Sequence, residues 1–118
     1  MTMSLNNSVW IISYNCRGWK SGSNLVSNLL NDCDICMIQE HWLFKEQLHC
    51  LNISDQFSSI AISGMVSSEF IAGRPFGGCA IFYRKSLSES ISTINSFLSR
   101  FCAILLTGSS ITFLLICV

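Results

Sequence analysis

Apolar positions along this chain follow two periods, one suited to strands and one to a helix. Val9 to Tyr14 is a compact apolar run rich in β-branched and aromatic residues, and it breaks at Asn15-Cys16-Arg17-Gly18. A run of that length ending in turn-forming residues predicts a buried strand. Ser23 is an N-cap residue type, and Leu25, Val26, Leu29 and Leu30 fall on one stripe, which predicts a helix through about Asn31. Asp34 to Gln39 predicts a second strand that delivers Glu40 at its end. Strand, helix and strand within about thirty residues make a βαβ unit, whose two strands run parallel. Their C-terminal ends then share one rim of the sheet, so Asn15 and Glu40 are expected as near neighbours where open α/β sheets bind ligands.

Further along, Phe44, Leu48 and Leu51 predict a short amphipathic helix, and Gln56 to Ser63 a strand. Gly64 to Phe76 reads as a loop carrying the only proline, Pro75. Gly77-Gly78 leads into a strand over Cys79 to Tyr83, followed by Arg84 and Lys85; paired glycines there permit close packing. Cys102 to Leu106 and Ile111 to Val118 predict a hairpin around Thr107-Gly108-Ser109-Ser110. A membrane span over Phe101 to Val118 is disfavoured, because it needs about 20 predominantly apolar residues and this stretch has a Gly-Ser-Ser centre. The expected architecture is a mixed α/β sheet, with residues 1–8 as a tail and 9–118 as one partial domain.

Composition alters that picture in two ways. Half of the 118 residues are hydrophobic and only 12% are charged, against a usual share of about 25%. Core strands separated from their covering layers would show this imbalance. The formal charge is zero, with seven basic and seven acidic side chains, so composition gives no support for nucleic-acid binding, which usually draws on a basic excess.

Seven cysteines cannot all pair internally, and most have apolar neighbours. Buried free thiols in a reducing intracellular setting, nuclear or cytoplasmic, are the expectation. No basic n-region precedes the short apolar run, so no signal peptide is expected, and the Asn-x-Ser triplets at Asn6 and Asn52 read as chance matches. Cys33-Asp34-Ile35-Cys36, with His41, His49 and Cys50 nearby, raises a zinc or redox site as an alternative, but a second similarly spaced pair is missing.

Three strings carry a resemblance. They are Ile11-Ile12-Ser13-Tyr14-Asn15-Cys16-Arg17-Gly18, then Ile35-Cys36-Met37-Ile38-Gln39-Glu40-His41-Trp42-Leu43, then Gly73-Arg74-Pro75-Phe76-Gly77-Gly78-Cys79-Ala80-Ile81-Phe82-Tyr83-Arg84. In order and spacing they resemble the opening motifs of the endonuclease/exonuclease/phosphatase superfamily. Gln-Glu-His-Trp-Leu and Arg-Pro-Phe-Gly-Gly are similar to the forms in non-LTR retrotransposon endonucleases. The resemblance implies the N-terminal half of a four-layered α/β sandwich and a metal-dependent, DNA-nicking phosphodiesterase. It implies Glu40 as ligand of a divalent metal, typically Mg2+ with Mn2+ possible, and Asn15 beside that metal, orienting the phosphate. Independently, a hard divalent ion prefers carboxylate and amide oxygens and keeps several waters, leaving room for a phosphate. Arg17 and His41 are candidate substrate contacts, with a solvated turn arginine and a structural imidazole as the other readings.

The resemblance also implies downstream residues: a tyrosine, an Asp-x-Asn pair and a terminal Asp-His pair. Here the last aspartate is Asp55 and the last histidine His49, and only Glu69 and Glu89 follow as carboxylates. Attack on a phosphodiester needs an activated water and a positioned proton-transfer group. A domain truncated at its C-terminus and inactive alone is therefore expected, with a non-catalytic fragment that associates through its sheet edge as the alternative.

Overall fold

A computed structural model describes residues 8–69, 73, 76–94 and 100–118 of the chain. Two sheets stack on one another, with a helix over the outer face of the first. The first sheet has the order β1-β2-β4-β3, formed by Ile11–Asn15 (β1), Ile35–Gln39 (β2), Phe57–Ile62 (β3) and Cys79–Arg84 (β4). The second has the order β5-β6-β7, formed by Ile91–Ile94 (β5), Cys102–Thr107 (β6) and Thr112–Cys117 (β7). β1 and β2 are parallel, with Asn15 opposite Gln39, while β4 runs antiparallel to both β2 and β3. The crossover and the mixed sheet are thus as the apolar runs predict.

Alternation along the central strands fills two cores. Cys36, Ile38, Ala80 and Phe82 face the helix side, where Trp19, Val26 and Leu30 meet them. Ile35, Cys79 and Ile81 face the second sheet and pack against Cys102, Ile104, Leu106 and Cys117. A strand covered on both faces must be apolar at every position, which explains the unbroken run over β2 and β4.

The helix (α1) departs from its expected limits. It spans Trp19–Leu29 and continues as a 3-10 turn over Leu30–Asp32, so Ser23 lies inside it and caps nothing. Its first amides are satisfied instead by the strand exit: Gly18 N–H donates to the Glu40 carbonyl at 2.7 Å and Trp19 N–H to the His41 carbonyl at 2.8 Å. The buried stripe runs through Trp19, Gly22 and Val26, and Leu25 is exposed. Trp19 stacks on Phe82 with ring centroids 6.2 Å apart, and that long-range contact fixes the helix face.

The segment after Phe44 is a 3-10 helix, Lys45–Leu51, with Leu51 buried. A second such stretch, Lys85–Ser90, and strand β5 were not legible in the sequence. Of the expected loop from Gly64 to Phe76, Ser67–Glu69 forms a 3-10 turn, while 70–72, Arg74 and Pro75 lie outside the described residues. The hairpin of β6 and β7 turns where Gly108 N–H donates to the Ile111 carbonyl at 2.7 Å. No described helix is long and apolar enough to cross a membrane.

Candidate functional site

Glu40 stands at the point where the three sequence strings meet. It follows the last residue of β2 and takes φ 60, in the left-handed region that costs a non-glycine residue about 1–3 kcal/mol. Backbone bonds from both flanking strings hold it there. Its N–H donates to the Gly78 carbonyl at 2.8 Å, and its carbonyl accepts from Gly18 N–H. The side chain is fixed as firmly. Glu40 Oε2 accepts from the Trp42 indole Nε1–H at 2.6 Å and from Gly77 N–H at 2.8 Å. Among the described residues Oε1 receives no hydrogen bond, which leaves one carboxylate oxygen free for a ligand.

Trp42, also left-handed at φ 61, lays its ring over Gly18. A Cβ at Gly18 would stand 2.6 Å from the indole Cε3, and Gly18 itself has φ 98. Glycine is thus required there twice over, by conformation and by space. Trp42 positions the carboxylate, a role that no spacing argument had assigned to it.

His41 is wholly buried. Its Nε2–H donates to the Ile62 carbonyl at 2.9 Å, and its Nδ1 accepts from Leu43 N–H at 2.9 Å. One nitrogen donating and the other accepting defines a neutral imidazole. Burial, the leading cause, lowers its pKa and reinforces that state. Gly78 lies against the ring so closely that a Cβ would come within 2.2 Å of Cε1. The geometry supports the structural-imidazole reading of His41 over substrate contact. Of the glycine pair expected to pack closely, Gly78 does so against this ring, while a Cβ at Gly77 would meet nothing described within 4 Å.

Asn15 ends β1 on the same rim as Glu40, and its Oδ1 accepts from Arg17 N–H at 3.1 Å in a local turn. Arg17 is exposed, at φ 48. Glu40, Gln39, Gly64, Phe76, Gly77, Gly78, Arg100 and Val118 line a cavity of about 350 Å³. Asn15 is not in that lining. Arg100, which is, brings a positive charge that only the return of the chain toward the second sheet could reveal. A larger cavity of about 450 Å³ lies at the opposite end of the sheet, beside Arg84 and Phe57, and holds no carboxylate. There Arg84 Nε pairs with Asp34 Oδ1 at 3.2 Å, and its guanidinium covers the Phe57 ring. That end ties strands together, and its one described carboxylate, Asp34, is paired with Arg84.

The alternative metal site does not assemble. Cys33 and Cys36 are buried, and burial pushes the Cys36 thiol up to about 12. His41 is committed to backbone partners, and His49 is exposed beside Cys50. Among the described residues neither cysteine joins a group of three potential ligands.

The carboxylate and carboxamide oxygens on the Glu40 rim suit a hard divalent ion. Few protein ligands leave most positions to water or phosphate, the usual pattern for Mg2+. Asn15 Oδ1 retains a second lone pair for that purpose.

Comparisons with known proteins give the family and the fold. A model of the Endonuclease/Exonuclease/phosphatase family matches residues 12–114. No curated protein sequence matches the chain. Among solved structures, AP endonuclease LMAP from Leishmania major aligns with a TM-score of 0.67 at 12% identity, over 98% of this chain and 44% of that one. The 3′ phosphatase NExo from Neisseria, bound to product DNA hairpin, aligns with a TM-score of 0.55 at 18% identity, over 91% of this chain and 40% of that one. The chain therefore spans less than half the length of these structures.

Proposed function

Because the chain belongs to the Endonuclease/Exonuclease/phosphatase family, we propose that it is part of a metal-dependent phosphodiesterase that nicks DNA, of the kind found in non-LTR retrotransposons, and that it does not turn over alone. The observation that carries the reading is the Glu40 carboxylate, with one oxygen held by Trp42 and Gly77 and the other unbonded among the described residues, beside a cavity lined by Arg100. Residues 9–118 are then one portion of a larger domain.

In this reading Glu40 holds a divalent cation, Mg2+ or Mn2+, and Asn15 completes the protein's share of the ligands or orients the phosphate. A cation bound there would polarise a phosphoryl oxygen and stabilise the leaving group. The chain's own contribution is positional. Trp42 and Gly77 fix the direction of the carboxylate, and Arg100 and Arg17 supply positive charge for a phosphate. The described residues on this rim include no carboxylate or imidazole free to activate water. Missing acid–base assistance costs about 10²–10⁴-fold.

Titration calorimetry with Mg2+ and Mn2+ tests the site. We expect weak binding that is lost in Glu40→Ala; equal binding by both proteins would remove Glu40 from the site. Nicking of supercoiled plasmid tests the rest. No cleavage by the chain alone is expected, and turnover abolished by both chelator and Glu40→Ala would show that the chain suffices.

A second reading, association without catalysis, has its own observation. β7 lies at a sheet edge and exposes Phe113, Leu114 and Ile116, with Val118 exposed just beyond it. An apolar edge of that kind is a pairing surface for another chain.

A further inference from the structure

Away from Glu40, the interface between the two sheets contains a cluster of chemistry that the proposed function does not use. Cys79 on β4 and Cys102 and Cys117 on β6 and β7 bring three sulfurs within 4.8 Å of one another. Cys79 Sγ and Cys102 Sγ are 3.6 Å apart, and all three residues are at most 3% exposed. Bonds of about 2.3 Å, the length of a zinc–thiolate bond, hold sulfurs about 3.5–4 Å apart, a separation that the Cys79–Cys102 pair already has and that Cys117, within 4.8 Å of both, approaches. Chain topology rather than sequence proximity gathers them, since Cys102 faces Cys117 across the β6–β7 ladder and Cys79 comes from the other sheet.

The surroundings decide which ion. No fourth ligand joins the group among the described residues, and burial leaves no place for water to complete a coordination shell. Zinc takes four ligands almost without exception in structural sites, so a closed three-sulfur site does not suit it. Charge is the second criterion. Cys79 Sγ–H donates to the Cys117 carbonyl at 3.1 Å, and Cys117 Sγ–H donates to the Ile38 carbonyl at 3.1 Å. The Ala80 carbonyl lies 3.7 Å from the same sulfur. Among the described residues Gln39 Nε2, 3.4 Å from Cys117 Sγ, is the one side-chain N–H aimed at the cluster, and it carries no charge. Three thiolates around copper(I) would leave two negative charges among carbonyl oxygens in an apolar interior, and burying unpaired charge is strongly unfavourable. Three thiolates around a trivalent ion leave none.

We propose that Cys79, Cys102 and Cys117 form a binding site for a trivalent thiophilic ion of the arsenite class, held by three sulfur bonds across the interface between the two sheets. The exchange balances without an oxidant. Each thiol proton combines with one hydroxyl of arsenous acid to leave as water, three arsenic–sulfur bonds replace three arsenic–oxygen bonds, and the product is neutral. The bound ion ties β4 to β6 and β7 directly behind Gln39, the residue before Glu40, so occupancy braces the rim from beneath.

Native mass spectrometry of the full chain, equilibrated with arsenite under a thiol-free phosphine reductant, tests this. The expected product carries one arsenic and lacks three hydrogens. Its melting temperature rises with arsenite concentration, as ligand binding to the folded state requires. Cys102→Ala should abolish the adduct and Cys33→Ala should preserve it. Should Cys102→Ala fail to fold, the wild-type mass still decides. An adduct retaining a hydroxyl, the mark of two-thiol capture, overturns the proposal, as does no adduct at all. Stoichiometric retention of zinc(II) or copper(I) in parallel samples that bind no arsenite would overturn the choice of ion.

Discussion

His41, Trp42 and Gly78 show how closely single residues are constrained around Glu40. The imidazole of His41 is enclosed in its neutral form, with its pKa lowered chiefly by burial from an ordinary value of about 6.5. An unfolded chain would take up a proton at that ordinary value while the folded one resists. The stability contributed by this difference is present above about pH 6.5 and is lost as pH falls from there toward the lowered folded value. Melting temperatures recorded from pH 7.5 to 5.5 should therefore fall, and His41→Gln should flatten the slope; parallel curves would exclude His41 as the cause. Gly78→Ala places a methyl group into that ring at φ 87. Overpacking and a left-handed backbone together predict a loss of about 2–5 kcal/mol in denaturant unfolding. Trp42→Phe keeps the ring over Gly18 but removes the indole donor to Glu40. A charge-assisted bond contributes about 1.5–3 kcal/mol, and without it the cation proposed at Glu40 should bind several-fold more weakly in calorimetry.

Among the elements, α1 and β7 carry the main lessons. α1 begins four residues before Ser23 because the carbonyls of Glu40 and His41 satisfy its first amides, which removes any need for a side-chain cap. β7 ends the second sheet with Leu114 and Ile116 about half exposed. Both project from the face opposite Cys117 and Leu115, which point into the intersheet core. In the second reading, where copies associate through β7, Leu114→Lys should weaken that association by about tenfold or more, equivalent to at least about 1.4 kcal/mol, as read by sedimentation velocity. An unchanged association state would show that copies do not meet through this edge.

For the molecule as a whole, charge and completeness matter together. Seven basic and seven acidic groups leave no excess to attract a polyanion. Fluorescence anisotropy at physiological salt should give a dissociation constant for duplex DNA weaker than about 10 µM, within or beyond the range of non-specific binding. Submicromolar binding by the chain alone would overturn this expectation. The family match covers residues 12–114, and the chain spans under half the length of the aligned structures.

The sequence by itself determined the strand–helix–strand opening, the shared rim of Asn15 and Glu40, and the hairpin from Cys102 onward. Local apolar period and parallel crossover geometry are sufficient for those, because each depends on neighbours within about thirty residues. Contacts between distant segments decided the rest. The start of α1 depends on carbonyls more than twenty positions away, and the stripe that excludes Leu25 depends on Phe82 beneath Trp19. β5 is a short strand of Ser, Thr and Ile that pairs only because β6 returns beside it. Arg100 beside the Glu40 cavity and the three-sulfur cluster require segments that adjoin only after the sheets have stacked, and Trp42 reaches Glu40, two residues away, only because both take left-handed backbone angles. Periodicity records which face of an element is buried; it does not record which remote atom completes a hydrogen bond, a cavity wall or a ligand set.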